Sequence, residues 1–462
     1  MAELVSCVDF GSTFTKGALI DVGSGELVAT ASHRTTIDTD VLDGWDAVSA
    51  EIATALGHPG GLADVPTFAC SSAGGGLRIA VVGNEELVTA EAGRRVALSS
   101  GGRVVHVSSD HVDIAALRAA GPDVVLLVGG TDGGNAEVLL ANAGALARAR
   151  WGAPVVAAGN AEAADDVAAL LARGGTPYVM ADNVVPQIGV LRPAGARAAI
   201  REMFLEHVIG GKHLSRRADF REMVHGPTPD IVLTAVELLA SGLDEARPGV
   251  GQVVVVDVGG ATTDVHSVVE VDPEDAELSR EVVATVPVSR TVEGDLGMRW
   301  SAVSTVDAAE SAGLDLPDGL RRAADARHND PAFVPVDRGE IENDIALASA
   351  AVGLAVRRHA GRQQVVFGPD GHLVERTGKD LREVGLLVGS GGVLRHNAAD
   401  DVARILGAGV GDHVDGGWLV PRAPAAVVDS DYVLAAAGLL AEEHPAAAYA
   451  LVMRLRDGAH TA

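Results

Sequence analysis

Alternating apolar and polar residues from Leu4 to Phe10 predict a β-strand that breaks at Gly11. The alternation resumes from Lys16 to Val22 and turns at Gly23-Ser24-Gly25. The pair reads as a β-hairpin with a polar tip. Helical spacing follows from Asp43 to Leu56, and Thr67 to Ser72 reads as a strand running into Gly74-Gly75-Gly76. The texture then changes. Short apolar strands at Val104 to Val107, Val124 to Val128, Val155 to Ala158 and Tyr178 to Ala181 alternate with helical stretches at Val112 to Ala120, Ala136 to Ala149, Ala161 to Ala172 and Pro193 to Phe204. That alternation predicts a parallel sheet covered by helices on both faces.

A further helical run, Ile231 to Leu243, carries Ala235, Ala240 and Gly242, small residues that permit a close helix crossing. The Pro- and Gly-bearing link Asp244 to Gly251 precedes a second strand-turn-strand that begins at Val253. Beyond it lie a long helical pattern (Glu340 to His359), a strand with a Gly-rich turn (Leu386 to Val393) and a final helix (Tyr432 to Glu443). At 462 residues the chain exceeds one compact core. The expected organisation is a first domain begun by residues 1–103 and resumed by 207–250, an α/β subdomain inserted at 104–206, and a second domain at 251–462.

Composition sharpens this picture. Hydrophobic residues make up 47% of the chain but aromatics only 3%, so the core is built from Ala, Val and Leu, which suits helices packed closely on sheets. The net charge of −27, with no basic stretch to offset it, repels phosphate backbones and anionic head groups. Nucleic acid and membrane are therefore excluded as expected partners. With no basic leader ahead of an apolar run and no long uncharged segment, the expected location is the cytoplasm. Cys7 and Cys70 fit neither a metal site nor a disulfide framework and read as buried small hydrophobes. Lys16, Lys212 and Lys379 are the only lysines, so a lysine within a candidate phosphate loop is informative.

The candidate chemistry lies in three turns. The first hairpin reads Asp9-Phe10-Gly11-Ser12-Thr13-Phe14-Thr15-Lys16, and the second reads Asp257-Val258-Gly259-Gly260-Ala261-Thr262-Thr263-Asp264. Each sets an Asp at the end of an apolar strand, then glycines and hydroxyls. Glycines let backbone N–H groups approach phosphate oxygens, hydroxyls add donors, and Asp9 and Asp257 suit Mg²⁺ held through water. Either hairpin alone is matched by an ordinary polar turn; both together favour two loops clamping a triphosphate. The third turn, Gly389-Ser390-Gly391-Gly392, follows a buried strand, lets a flat adenine or ribose lie on the backbone, and leads into a helix. A fourth Gly-rich loop, Gly129-Gly130-Thr131-Asp132-Gly133-Gly134, also follows a buried strand, where open α/β sheets bind ligands; it suits a second phosphate or a cobalamin group. A tight turn capped by Asp132 accounts for some of its glycines but not for four around one Thr-Asp pair, so the ligand-binding reading is favoured. Glu293 and Asp295 are weaker candidates for a water-activating carboxylate, since a charged turn looks the same. His396 is left out of the site.

The order of these motifs resembles the phosphate-1, phosphate-2 and adenosine motifs of the actin, Hsp70 and sugar-kinase superfamily. That resemblance implies an α/β two-domain ATPase fold with nucleotide between its domains, and it makes Ile231 to Leu243 and Tyr432 to Glu443 the two crossing helices. It also implies that Asp9, Asp257 and Asp264 organise Mg²⁺ and the attacking water, while Lys16 neutralises phosphate charge. Finer signatures are Ser71-Ser72-Ala73-Gly74-Gly75-Gly76, Leu127 to Asn135, Glu293-Gly294-Asp295-Leu296-Gly297-Met298-Arg299 and Leu394-Arg395-His396-Asn397. They resemble, across essentially the whole chain, the glutamate mutase accessory proteins called MutL or GlmL, which are distinct from the mismatch-repair proteins sharing the first name. The implied role is a nucleotide-dependent chaperone, with slow ATP hydrolysis to ADP, that reactivates adenosylcobalamin-dependent glutamate mutase or a related aminomutase. The 15 histidines form no Asp-x-His-x-x-Gly pattern, so a corrinoid would come with the partner. The competing readings are a small-molecule kinase of the same fold and an activator of the 2-hydroxyacyl-CoA dehydratase type. The latter needs iron–sulfur ligands that two cysteines at these positions do not supply.

Overall fold

The computed structural model describes residues 3–57, 61–211, 214–270, 286–368, 371–412 and 414–459. Two compact units emerge. One comprises the chain up to Thr234 together with Gly438–Ala447; the other takes the chain from Ala235 to Ala437 and from Ala448 onward.

In the first unit, β1 (Leu4–Phe10), β2 (Phe14–Asp21) and β3 (Glu26–Arg34) form an antiparallel meander. β3 extends the expected hairpin by a third strand that the pattern hides, because an edge strand exposed along much of its length does not alternate cleanly. After helix Val41–Ala55, β4 (Thr67–Ser71) pairs in parallel with β1. A fully parallel sheet follows, made of β5 (Leu77–Val82), β6 (Gly102–Ser108), β7 (Val124–Leu127), β8 (Val155–Ala157) and β9 (Tyr178–Met180), in the order β6-β5-β7-β8-β9. It reaches further back than residue 104, since β5 lies inside it. Then β10 (Val224–Pro227) returns to the first sheet beside β4, giving β10-β4-β1-β2-β3. The parallel sheet is thus inserted between the fourth and fifth strands of another sheet.

Both faces of the insert are buried, which explains its near-continuous apolar strands. Ile79, Val81, Val124 and Leu126 join one core with Val8 and Phe10 of β1, while Ala80, Val82, Val125 and Leu127 pack on Leu139 and Leu146 of helix Glu137–Arg148.

The second unit begins with a short ladder of β11 (Gly242–Asp244) and β12 (Arg247–Pro248). Its main sheet contains β13 (Val253–Val258), β14 (Thr263–Val268) and β15 (Val288–Glu293). A hairpin of β16 (Arg362–Gly368) and β17 (Gly371–Thr377) precedes β18 (Leu386–Ser390) and β19 (Ala425–Val428), and the order is β15-β14-β13-β18-β19. This repeats the topology of the first sheet strand for strand. In each, the first strand is antiparallel to the second and the second to the third, while the first is parallel to the fourth and the fourth to the fifth.

Two expectations need correction. The turn after β18 leads into a single helical turn, Gly392–Arg395, too short to present a helix dipole to phosphate. Nor is the helix after Tyr432 the last, because Val433–Leu440 is followed by Pro445–Ala459, which starts at a proline preset for a first helical position. Lys212 lies outside the described residues. Among those residues no helix is long and apolar enough to cross a membrane.

Candidate functional site

The β1–β2 register pairs Asp9 with Lys16 and Phe10 with Thr15, leaving Gly11 to Phe14 as the turn. Gly11 N donates to Phe14 O at 3.1 Å, and a Cβ on Gly11 would stand 2.7 Å from that oxygen, so only glycine fits. Thr35 braces the tip, its N–H donating to Thr13 O at 2.9 Å and its Oγ1 to Gly11 O at 2.8 Å. Ser12, Thr13 and Phe14 remain exposed, as a ligand-facing tip requires. Asp9 is buried. Its Oδ1 accepts from Thr228 Oγ1 at 2.7 Å and from Cys70 Sγ at 3.7 Å, and its Oδ2 lies 3.5 Å from Lys16 Nζ. Burial, with the Asp9 charge beside it, pushes the Cys70 thiol well up and keeps it protonated.

The second hairpin is built the same way. Asp257 pairs with Asp264 and Val258 with Thr263, Gly259 N donates to Thr262 O at 2.9 Å, and a Cβ on Gly259 would meet that oxygen at 2.9 Å. The charge differs, because Asp264 stands at the register position that Lys16 holds in the first hairpin. Both of its oxygens are engaged. Oδ1 accepts from Arg290 Nε at 2.9 Å and from Arg290 Nη2, and Oδ2 accepts from Thr262 Oγ1 at 3.0 Å. Arg290, on β15, is almost fully buried. A carboxylate so held is fixed in orientation. The tip is stitched from behind by Met298 N to Gly259 O (3.0 Å), Arg299 N to Gly260 O (2.8 Å) and Ser301 Oγ to Ala261 O (2.6 Å). Thr263 is fully buried, with no partner for its hydroxyl among the described residues, so it faces the core.

Glu293 and Asp295 share Arg358, whose Nη1 reaches them at 2.8 and 2.7 Å. Burial raises the Glu293 carboxyl against the pull of Arg358, while the hydrogen bond from Arg358 lowers Asp295. Their shared cation explains the charged turn without catalysis.

The Gly-rich turn stacks on the second hairpin's own strand. Ser390 is in register with Asp257, and Gly391, at φ 107°, would drive a Cβ to 2.3 Å from Val258 O. Gly389 packs against Leu394 and Leu406, whereas nothing lies within 4 Å of a Cβ on Gly392, so its surface is open. Just beyond, the Arg395 guanidinium stacks 4.6 Å above the Tyr432 ring. Sequence reasoning missed this pair and missed Thr228, because both depend on partners distant in the chain.

The Gly129–Gly133 loop leaves β7 next to β5, where the strand order reverses. Gly130, at φ 72°, would set a Cβ 2.5 Å from Asn135 O. Asn183 Nδ2 bridges Gly130 O (3.0 Å) and Asp132 Oδ1 (2.8 Å), and Asn160 Nδ2 holds Gly134 O at 2.9 Å. Internal packing therefore accounts for much of this loop's glycine content.

Among the described residues no group of three or more His, Cys, Asp or Glu converges on a metal position. Magnesium delivered with a nucleotide needs only one or two carboxylates, with phosphate and water completing its oxygen shell, and the all-oxygen donors Asp9 and Asp257 suit it.

The duplicated hairpin-bearing sheet with an inserted parallel sheet defines a protein of the actin, Hsp70 and sugar-kinase fold class. The chain belongs to the MutL family, whose sequence model, described as MutL protein, matches residues 5–455. Protein MutL of Clostridium tetanomorphum is 36% identical over 446 residues, covering 95% of this chain and 96% of its own length. Among solved structures, the ethanolamine utilization protein EutJ of Carboxydothermus hydrogenoformans aligns at 11% identity over 97% of this chain and 90% of its own, with a TM-score of 0.30. A carbohydrate kinase from Novosphingobium aromaticivorans aligns at 15% identity over 95% and 91%, also at 0.30. Likenesses this loose carry no argument about the site.

Proposed function

We propose that this chain is an accessory protein that binds Mg·ATP through the Asp9 hairpin, the Asp257 hairpin and the Gly389–Gly392 turn, and couples slow hydrolysis to reactivation of an adenosylcobalamin-dependent glutamate mutase or a related aminomutase. The observation that carries the nucleotide reading is the duplication: two hairpins with one register, one Gly-closed turn and one aspartate position, which unrelated polar turns would not share. In this reading Gly11, Ser12, Thr13, Gly259, Gly260 and Thr262 bind phosphate, Lys16 answers the terminal phosphate charge, and Asp9 and Asp257 would hold magnesium through water. Magnesium, when bound, would neutralise phosphate charge. Asp264, held by Arg290 and Thr262, would help to organise magnesium and the attacking water. ATP drives a partner between conformations only if it binds one state of this chain better than another.

The test is phosphate release from Mg·ATP, alone and with the inactivated mutase, while mutase activity is followed. Partner-stimulated hydrolysis coupled to recovery supports the reading; hydrolysis with no effect on the mutase favours the kinase, which a small hydroxyl substrate should stimulate instead. The strand-order reversal at β5 and β7 also supports a second ligand, phosphate or corrinoid, at Gly129, Gly130, Thr131, Asp132 and Gly133. Asp132→Ala should then reduce reactivation without changing ATP affinity, and unchanged reactivation would remove this site.

A further inference from the structure

We infer that Trp300, Val334 and Val336, exposed on two segments that hydrogen bonds join, form the surface through which this chain grips its partner: a protein face with an apolar recess rimmed by Lys and Arg. The inference rests on the accessory reading above and names the surface that role uses.

In a chain with four tryptophans, Trp45 and Trp151 are buried, yet Trp300 is 59% exposed. Val334 and Val336 are 71% and 90% exposed. These side chains stand on an ordered base. Arg299 Nε donates to Phe333 O at 3.1 Å, and His328 Nδ1 is 2.8 Å from Trp300 O, so the Trp300 segment and the 330–337 segment are joined. Beneath them Arg327, fully buried, lies 4.6 Å from the Phe333 ring centroid and is held by Asp344 and Glu340. Apolar side chains on a rigid support lose little freedom on docking, and exposed tryptophan is a frequent anchor.

Charge selects the partner. Asp330 and Asp337 bracket the segment, both exposed, and among the described residues their side chains accept the backbone N–H groups of Ala332 (3.1 Å) and Glu340 (2.9 Å). The nearby cations are already engaged: Arg299 by Asp344, and Arg338 by Glu342 and Asp401. The apolar patch therefore has an acidic rim on a chain of net charge −27, and a basic rim is its complement.

Position links the patch to nucleotide. Trp300 stands between Arg299 and Ser301, which hold Gly260 O and Ala261 O of the second hairpin. A ligand that moves this turn moves Trp300 with it.

The test measures binding of the full-length chain to glutamate mutase holoenzyme by sedimentation in Mg·ATP. Wild type is compared with W300S/V336S and with V365S/V374S, which removes exposed valines from the β16–β17 hairpin instead. The first variant should lose at least about tenfold in affinity while basal hydrolysis stays within about twofold, and the second should bind as wild type. Raising NaCl from ~50 to ~300 mM should weaken the wild-type complex several-fold. V336D, at the most exposed position, repeats the test with least risk to folding. Without mutase, Mg·ATP should change an emission component that W300F abolishes. A wild-type complex that W300S/V336S and V336D leave intact overturns the docking surface while the accessory role stands. Equal loss in V365S/V374S overturns it too, and a wild-type chain that binds no mutase in any nucleotide state removes both readings.

Discussion

Asp257 and Asp264 face each other across one register, and Asp264 has Arg290 Nε and Nη2 bonded to it. Their alanine variants test the two assignments. Asp257→Ala should cut hydrolysis at least ~100-fold, as loss of a positioned charge does. Asp264→Ala should cut hydrolysis and also cost about 2 kcal/mol, because it takes a carboxylate partner from a buried guanidinium. Urea denaturation beside turnover checks both, and wild-type turnover in either variant would end that residue's assignment. Glycine substitutions divide similarly. Gly11→Ala forces a Cβ against Phe14 O and should destabilise by ~1–3 kcal/mol, whereas Gly392→Ala meets nothing and should leave stability within ~0.5 kcal/mol. If nucleotide lies on the Gly392 backbone, the second change nevertheless lowers ATP affinity, measurable by calorimetry. Lys16→Ala should weaken ATP more than ADP; equal loss would make the role of Lys16 structural, as in its 3.5 Å contact with Asp9.

At the scale of elements, small residues set the closest approach. Within the first unit a Cβ on Gly438 would stand 2.0 Å from Ile231 O, so the helix containing Gly438 comes against backbone there. Gly438→Ala should cost more than its helix-propensity gain of ~1 kcal/mol returns and lower the melting temperature; an unchanged melting temperature would mean that the crossing is loose. The two helical runs were legible in the sequence, but the close contact falls at Ile231 rather than at Ala235, Ala240 or Gly242, and Gly242 lies on β11. Also legible were β1, β4, β7 to β9, the two hairpins and the helix Arg338–His359, because each carries one clean period. β5 was not, since Leu77–Val82 follows three glycines and shows no alternation, and neither was helix Glu91–Ser99, whose period is blurred by the π-helical turn before it. In the site, glycine and aspartate positions were readable locally. Thr228 on Asp9, Arg290 on Asp264 and Arg395 over Tyr432 were not, because local periodicity carries no information about pairs that only the fold brings together.

Across the whole molecule, acid acts through two opposed effects. Lowering the pH from 7 towards the sequence pI of about 4.8 discharges a chain of net charge −27 and relieves self-repulsion. Buried histidines work against this. Burial and the neighbouring Arg290 hold His266 down to about 3, and burial, with Lys379 next in weight, holds His359 well below its ordinary range between Thr291 and Ser267. Unfolding lets each take up a proton near pH 6.5, so the stability they contribute is complete above that value and is lost as pH falls towards the folded value. His266 then costs about 2 kcal/mol at pH 5, and His359 acts in the same direction. Carboxylates lowered by arginines, such as Asp295 and Asp380, titrate below this window, while the raised Glu293 opposes the histidines only slightly because Arg358 offsets its burial. Repulsion among exposed charges is largely screened at ~1 M salt and the buried histidines are not. The urea midpoint at high salt should therefore fall between pH 7 and pH 5, and His266→Leu, which also removes an Nδ1 without a partner among the described residues, should reduce that fall. A midpoint that rises on acidification at high salt, or a slope that His266→Leu leaves unchanged, would show that these histidines are not what makes the fold acid-sensitive.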